Sequence, residues 1–415
     1  MSMTLPHPVP PVASPRDPFV DVLRVLGMVL VVVQHWTMPV LIDRGGDLVT
    51  GNALASVPLV TWISQVMPLV FFAGGAANYL SWVSKPQSAE KWIGKRVVRL
   101  GWPVLPLIAV WLPLPYLLGA LGIPAQPLDV ASRLVGQLLW FLAVYLLAVV
   151  TTPLLARLDA RVLLPLLAAG AFAVDWVRFS GFEAAGYLNV AFVWLAVHQI
   201  GFLYAQGRLG ALTGRRALTL AAAGFGLTAA MVIAGPYPAS MIGMPGSPSN
   251  MAPPSAVMLA VFAGQLGLAL WARERLNRAL PAPVLRWLAP RMMTFYLWHM
   301  TALITVGGVA FLGFGAQTPE PWSATWWMLL PIWLGWLALV LTVLTALFGR
   351  FEAAPPTSST PLRTVTAVGL SAAGLLTLTV TGFTPGTFVP AAGSAALALG
   401  MALLLRRRAA APLPR

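Results

Sequence analysis

Long apolar runs alternate with short polar stretches along almost the whole chain. A membrane-crossing helix needs about 20 mostly apolar residues. Twelve stretches qualify as candidates: 19–41, 57–83, 100–121, 134–156, 162–178, 187–206, 217–235, 255–272, 292–314, 324–348, 364–383 and 387–405. The pattern predicts an all-α fold, a polytopic transmembrane helix bundle. Residues 1–18, MSMTLPHPVPPVASPRDP, are Pro-rich and hold no apolar run, so they read as a disordered cytoplasmic leader rather than a cleavable signal peptide. The stretch 349–363, GRFEAAPPTSSTPLR, reads as a linker. It divides a ten-helix core, 19–348, from two extra C-terminal helices, 364–405, and a basic tail, 406–415.

The polar stretches carry a charge asymmetry. With the N-terminus in the cytoplasm, the even-numbered loops hold Lys85, Lys91, Lys95, Arg96 and Arg99; Arg157 and Arg161; Arg208, Arg215 and Arg216; Arg273, Arg275, Arg278, Arg286 and Arg291; then Arg350 and Arg363. The tail adds Arg406, Arg407, Arg408 and Arg415, whereas the outer loops and adjacent helix ends hold Arg44, Arg133 and Arg178. Positive charge stays on the inner side of membranes, so both termini are expected in the cytoplasm and the protein in the cytoplasmic (plasma) membrane.

Composition adds limits. The chain is 58% hydrophobic and only 9% charged, with a net charge of +14. That charge does not signal nucleic-acid binding, because the basic residues sit in short loops with no aromatic-interleaved basic face. The absence of cysteine excludes disulfides and thiolate metal sites, and no His-Glu-x-x-His pattern suggests another metal. No internal repeat is visible, which weakens a transporter reading. The loop 236–254 is uncharged and rich in Pro, Gly and Ser; it could line an entrance by backbone shape.

Few ionisable residues fall inside the apolar runs: Asp21, Arg24, His35, Asp175, His198 and His299. Such groups cost several kcal/mol in hydrocarbon unless they meet a cavity or a partner. Arg24 and His35 are eleven residues apart, which on a helix returns almost to the same face with a rise of roughly 16 Å. Asp21 shares that face. Histidine suits a general base near neutral pH, and arginine forks onto phosphate or carboxylate. The residues alone leave a second reading equally open: an Arg–Asp pair snorkelling to the inner surface beside a histidine bonded within the bundle. The basic run Lys91–Arg99 reads first as a topology signal that anionic lipids attract. Asp175 and Arg178, three apart, read best as a local ion pair.

Several short stretches narrow the choice. Arg24 followed by ten residues and His35 resembles the signature of the acyltransferase family 3 membrane proteins. Pro68-Leu-Val-Phe-Phe-Ala-Gly-Gly75 resembles that family's Pro-x-Phe-Phe-x-x-Gly segment, and Lys95-Arg96-Val-Val-Arg99 its Arg-x-x-Arg element in the following loop. Leu139-Trp140-Phe141-Leu142 resembles its Trp-Phe-Leu segment, and Tyr296-Leu297-Trp298-His299 its Tyr-Leu-x-His element. The resemblance runs in the usual order from about residue 18 to about residue 348, and 364–405 depart from it.

The resemblance implies transfer of an acyl group, acetyl foremost, from acyl-CoA to a hydroxyl of a carbohydrate, a lipid-linked sugar or a secondary metabolite, with no metal. It implies His35 as base; Asp21 would orient Arg24 or limit its repulsion of other cations. Arg24, Arg96 and Arg99 would hold coenzyme phosphates, and His299 would bond the coenzyme or orient another side chain. Asp175, His198 and Trp140 are weaker candidates for the acceptor side. The rival class is a proton-coupled exporter using His35 and Asp21; a silent component of polysaccharide assembly is a third reading.

Overall fold

The structure, a computed structural model, describes residues 17–44, 47–243 and 249–405. The leader through residue 16 and the tail 406–415 lie outside the described residues. Helix α1 (Pro18–Thr37) begins where Asp17 caps it, the carboxylate accepting from the amide of Phe19 at 2.8 Å. The neighbouring proline suits the first turn, because its missing N–H would have no partner there anyway. Residues 17 and 18 therefore belong to the first helix, not to the leader. Asp17 also accepts from the Tyr204 hydroxyl at 2.9 Å and faces Arg273 at 3.8 Å, which fixes the start of α1 against the bundle.

After α1 come strands β1 (Pro39–Arg44) and β2 (Asp47–Asn52), paired antiparallel with Pro39 opposite Asn52 and Arg44 opposite Asp47. This hairpin is the one departure from an all-helical chain among the described strands and helices. There follow α2 (Thr61–Ser64), α3 (Met67–Val83), α4 (Ala89–Gly101), α5 (Val104–Trp111), α6 (Leu114–Ala120), α7 (Ala125–Gln137), α8 (Leu139–Leu155), α9 (Ala160–Phe179) and α10 (Asn189–Ala205). The chain continues through α11 (Gly214–Ala234), α12 (Val257–Trp271), α13 (Arg273–Ala279), α14 (Ala282–Leu288), α15 (Met292–Gly308), α16 (Ala324–Phe348), α17 (Pro361–Thr381) and α18 (Val389–Leu404).

Ten helical segments among the described residues are long and apolar enough to cross a membrane. The α12–α13 pair, bent by 72°, can count as an eleventh, and α18 is a shorter apolar helix of 16 residues. The twelve apolar stretches of the sequence each coincide with one of these segments, and the fold is a polytopic helical bundle. Three spans start well before their apolar runs, one of them where α14 leads into α15. Helix α4 leads into α5 and α6, with Pro103 and Pro113 at the joints, and α7 leads into α8; proline cannot donate to the preceding turn, so the helix breaks there. The stretch expected as a loop around Arg96 and Arg99 is therefore helical. Helix α4 buries Trp92, Val97 and Val98 and leaves Lys91, Lys95 and Arg99 exposed.

Close packing sets the core. Helices α3 and α10 touch backbone to backbone at Gly75 and Gly201: a Cβ on Gly75 would stand 2.1 Å from the His198 carbonyl oxygen, and one on Gly201 2.2 Å from that of Phe72. Small residues allow such approach where no water is available to drive association. Helix α16 is largely uncovered, with Met328, Trp336 and Leu339 outward and only Trp326, Leu337 and Leu341 buried. An apolar flank of this kind matches hydrocarbon, and the protein is a multi-pass membrane protein.

Helices α17 and α18 pack on each other and on the rest of the bundle. Helix α17 lies against α4, α7 and α8, and α18 against α4. The Phe383 amide donates to the Ser132 carbonyl at 3.1 Å. The stretch 349–363 is not a free tether: Glu352 accepts from the Thr294 amide at 2.6 Å, and the Ser358 amide donates to Leu404 at 2.9 Å.

Candidate active site

Two histidines 264 positions apart in sequence meet inside the bundle. The rings of His35 on α1 and His299 on α15 stand 5.1 Å apart, centroid to centroid. His35 Nδ1 lies 2.8 Å from the Val31 carbonyl oxygen, one turn earlier in the same helix. A carbonyl only accepts, so Nδ1 carries the hydrogen and Nε2 keeps a free lone pair. His299 repeats the arrangement, with Nδ1 2.7 Å from the Tyr296 carbonyl oxygen. His299 is fully buried, and its Nε2 has no hydrogen-bond partner among the described residues. The Trp36 indole donates to the His299 carbonyl oxygen at 3.0 Å, and Trp333 donates to that of Trp36 at 2.7 Å, which ties α1, α15 and α16 together around the pair.

His35 is partly buried and lines a cavity of about 1880 Å³. Its wall includes Gln34, Trp111, Gln137, Trp140, Thr301 and Tyr296. The hairpin β1–β2 forms part of the rim and is held by Leu41, whose amide donates to Thr318 Oγ1 at 2.9 Å. Ser249, Met251 and Pro253 of the uncharged loop also reach the wall. His299 is not on that wall; it stands behind His35.

The arginines occupy the opposite, basic end. Arg24 pairs with Asp21 at 3.7 Å, and its side chain is 44% exposed. Arg96 lies within electrostatic reach of Arg24, Arg99 and Tyr145, and its guanidinium stacks 5.3 Å above the Trp92 ring. Arg99 lies within electrostatic reach of Glu352. Arg24, Arg96 and Arg99, taken from two helices, thus form one cationic group. None of the three lines the cavity that His35 lines. The rise of roughly 16 Å between Arg24 and His35 is filled by packing. A chain of rings runs from the wall residues Tyr296 and Trp194 through Phe141 and Phe71 to Tyr145. The centroid separations are 5.2 Å for Phe141–Tyr296 and 5.6 Å for Phe141–Tyr145.

Of the three residues expected on the acceptor side, Trp140 alone lines the cavity. His198 sits fully buried in the α3–α10 seam, 3.2 Å from Asn78, and acts as a packing group. Asp175 is buried and does not close a salt bridge with Arg178. Instead it accepts from Asn189 at 2.8 Å, from the Tyr237 hydroxyl at 3.0 Å and from the Ala256 amide at 2.7 Å. Arg178 turns away to the Ser249 carbonyl oxygen at 2.9 Å. Three donors satisfy the carboxylate better than one guanidinium at the end of a helix, and through Tyr237 and Ser249 the two charges hold the loop. Burial and the Asp175 charge both push the Tyr237 hydroxyl upward, which keeps it a donor. Asp175→Ala is expected to strand three donors at about 1–3 kcal/mol each. The measurement is thermal unfolding in detergent, and an unchanged midpoint would show that the clamp does not matter.

Comparison with known proteins gives one family. A family model described as an acyltransferase domain matches residues 17–351, most of the chain and nearly all of the bundle before α17. No curated protein and no solved structure matches. The matched region holds both histidines and all three arginines, and it ends before the last two helices. The chain therefore belongs to the acyltransferase family 3 membrane proteins and is a multi-pass membrane acyltransferase.

Proposed function

We propose that the protein transfers an acyl group, acetyl foremost, from acyl-CoA to an acceptor hydroxyl, and that His35 is the base. The observation that carries this reading is the free Nε2 of His35 on a cavity wall, with its tautomer fixed by Val31. The acceptor oxygen attacks the thioester carbonyl while His35 Nε2 takes its proton. The tetrahedral adduct then collapses, the C–S bond breaks, and the proton passes to the departing coenzyme thiolate. No protein nucleophile is needed. General-base assistance of this kind contributes roughly 10²–10⁴-fold.

Arg24, Arg96 and Arg99 hold the coenzyme phosphates in this reading, since guanidinium forks match phosphate oxygens. Asp21 fixes Arg24. The pantetheine arm can reach His35 only if the rings of Phe71, Phe141 and Tyr145, packed between the two ends, move apart. His299 is a positioning residue in this scheme: it touches the His35 ring and has no surface toward the cavity. The basic end faces the cytoplasm, where acyl-CoA is made.

The test is release of free coenzyme thiol by the purified protein in liposomes. Acyl-CoA-dependent release together with an acylated acceptor is expected; movement of an acceptor without covalent change would favour the exporter instead. For orientation, the cysteine-free chain allows Arg24→Cys as a unique label site. A membrane-impermeant maleimide should reach it from the cytoplasmic side of inverted vesicles. Labelling of intact cells would reverse the topology.

A further inference from the structure

The cavity beside His35 is far larger than a hydroxyl needs, and its chemistry is one-sided. The described wall is dominated by Leu, Ile, Val, Met, Pro and Trp side chains. Among the described residues on it, Arg133 is the one side chain with a permanent charge, and Asp129 already neutralises it at 2.8 Å. A phosphorylated or carboxylated acceptor would enter without a partner for its charge, at a cost of several kcal/mol. A bare oligosaccharide would lose hydration at many hydroxyls, and several polar wall groups are already bonded within the protein: Thr301 accepts from Trp111, Thr318 from Leu41, and Tyr296 donates to the Leu138 carbonyl.

The cavity wall also reaches the flank of the bundle. Five apolar wall residues on membrane-spanning segments keep more than half of their surface uncovered: Val309 56%, Ile332 59%, Trp336 57%, Leu376 54% and Val380 76%. Exposed apolar surface on membrane-spanning segments faces hydrocarbon, not water. Leu376, Thr379 and Val380 belong to α17, beyond the family-matched residues 17–351.

We propose that the cavity takes an uncharged alcohol with a predominantly apolar body, which enters sideways from the bilayer, and that α17 forms a specificity-determining part of the wall. As a statement about the acceptor, this rests on the acyltransfer reading of His35. It follows that acceptor choice is set partly by a helix outside the family's common core, so that chains with other partners at this place select other alcohols.

The experiment uses the full chain in liposomes with a diazirine-bearing long-chain alcohol as photoprobe and peptide mass spectrometry as readout. Label is expected on buried wall residues such as Met300 and Leu303, competed by excess dodecanol and not by a sulfated hexasaccharide. Leu376→Trp with Val380→Trp should abolish that label while leaving acyl-CoA binding unchanged. His35→Ala should retain the label and lose transfer. Label confined to the outer flank, or untouched by the α17 variants, overturns the proposal. So does competition by the charged glycan. Specific wall labelling with no acyl transfer by the wild-type protein to any alcohol would uphold the ligand class and reject the acyltransfer reading instead.

Discussion

His35→Ala is expected to lower acyl transfer by roughly 10²–10⁴-fold while the protein still inserts and folds. Both halves follow from the geometry. Among the described residues the imidazole bonds to the Val31 carbonyl of its own helix, and that oxygen belongs to the helical ladder anyway. Its loss strands no distant group. What disappears is the lone pair on Nε2, the one basic atom that the His35–His299 pair presents to the cavity. His35→Gln gives a sharper comparison, because its amide can fill the space and accept a hydrogen bond without taking a proton. The two variants should be equally inactive, with thermal midpoints near that of the wild type. Activity within tenfold of wild type in either variant would remove His35 from the chemistry. His299→Ala should behave differently: it opens a hole behind His35 and costs activity through misplacement as well as some stability.

Arg99→Gln and Arg96→Gln are expected to raise the acyl-CoA concentration needed for half-maximal rate, by roughly ten- to a hundredfold each. A hydrogen bond to a charged group contributes about 1.5–3 kcal/mol, which sets that range. The apparent requirement for the acceptor should stay nearly constant, since neither side chain touches the cavity. Arg99 is the cleaner test, because it is exposed, whereas Arg96 also covers the Trp92 ring. Added salt should weaken acyl-CoA binding in the wild type more than in the variants. A rise in the acceptor requirement instead would place these arginines outside the donor site.

The helices were legible in the chain because a bilayer imposes a length and polarity that no soluble core imposes. Boundaries were less legible where an amphipathic helix runs into a span. Helix α4 reads as a basic loop by composition, yet its apolar residues Trp92, Val97 and Val98 fall on one buried face. The cap at Asp17-Pro18 carried a recognisable start signal that the Pro-rich leader obscured. The hairpin β1–β2 had a signal too, a Gly-Gly pair between two short β-prone stretches.

The site was legible one residue at a time but not as a constellation. The spacing of Arg24 and His35 placed them on one helix, and both lie on α1. Spacing could not show that aromatic rings fill the rise between them, because those rings come from α3, α8, α10 and α15. Nor could it bring His299 to His35. Trp36, which reaches the His299 carbonyl, looked like one more apolar residue. Asp175 and Arg178 looked like a pair because they are close in sequence; their partners, Tyr237, Ala256 and Ser249, lie tens of residues away on a loop.

The most direct measurement follows a radiolabelled acetyl group from acetyl-CoA in liposomes containing the purified protein and a mixture of long-chain alcohols and lipid extract. The account predicts that the label moves into an organic-soluble, alkali-labile ester in step with the appearance of free coenzyme thiol, and that His35→Ala stops both. Label that stays on the coenzyme, or that moves equally well without the imidazole, would contradict it.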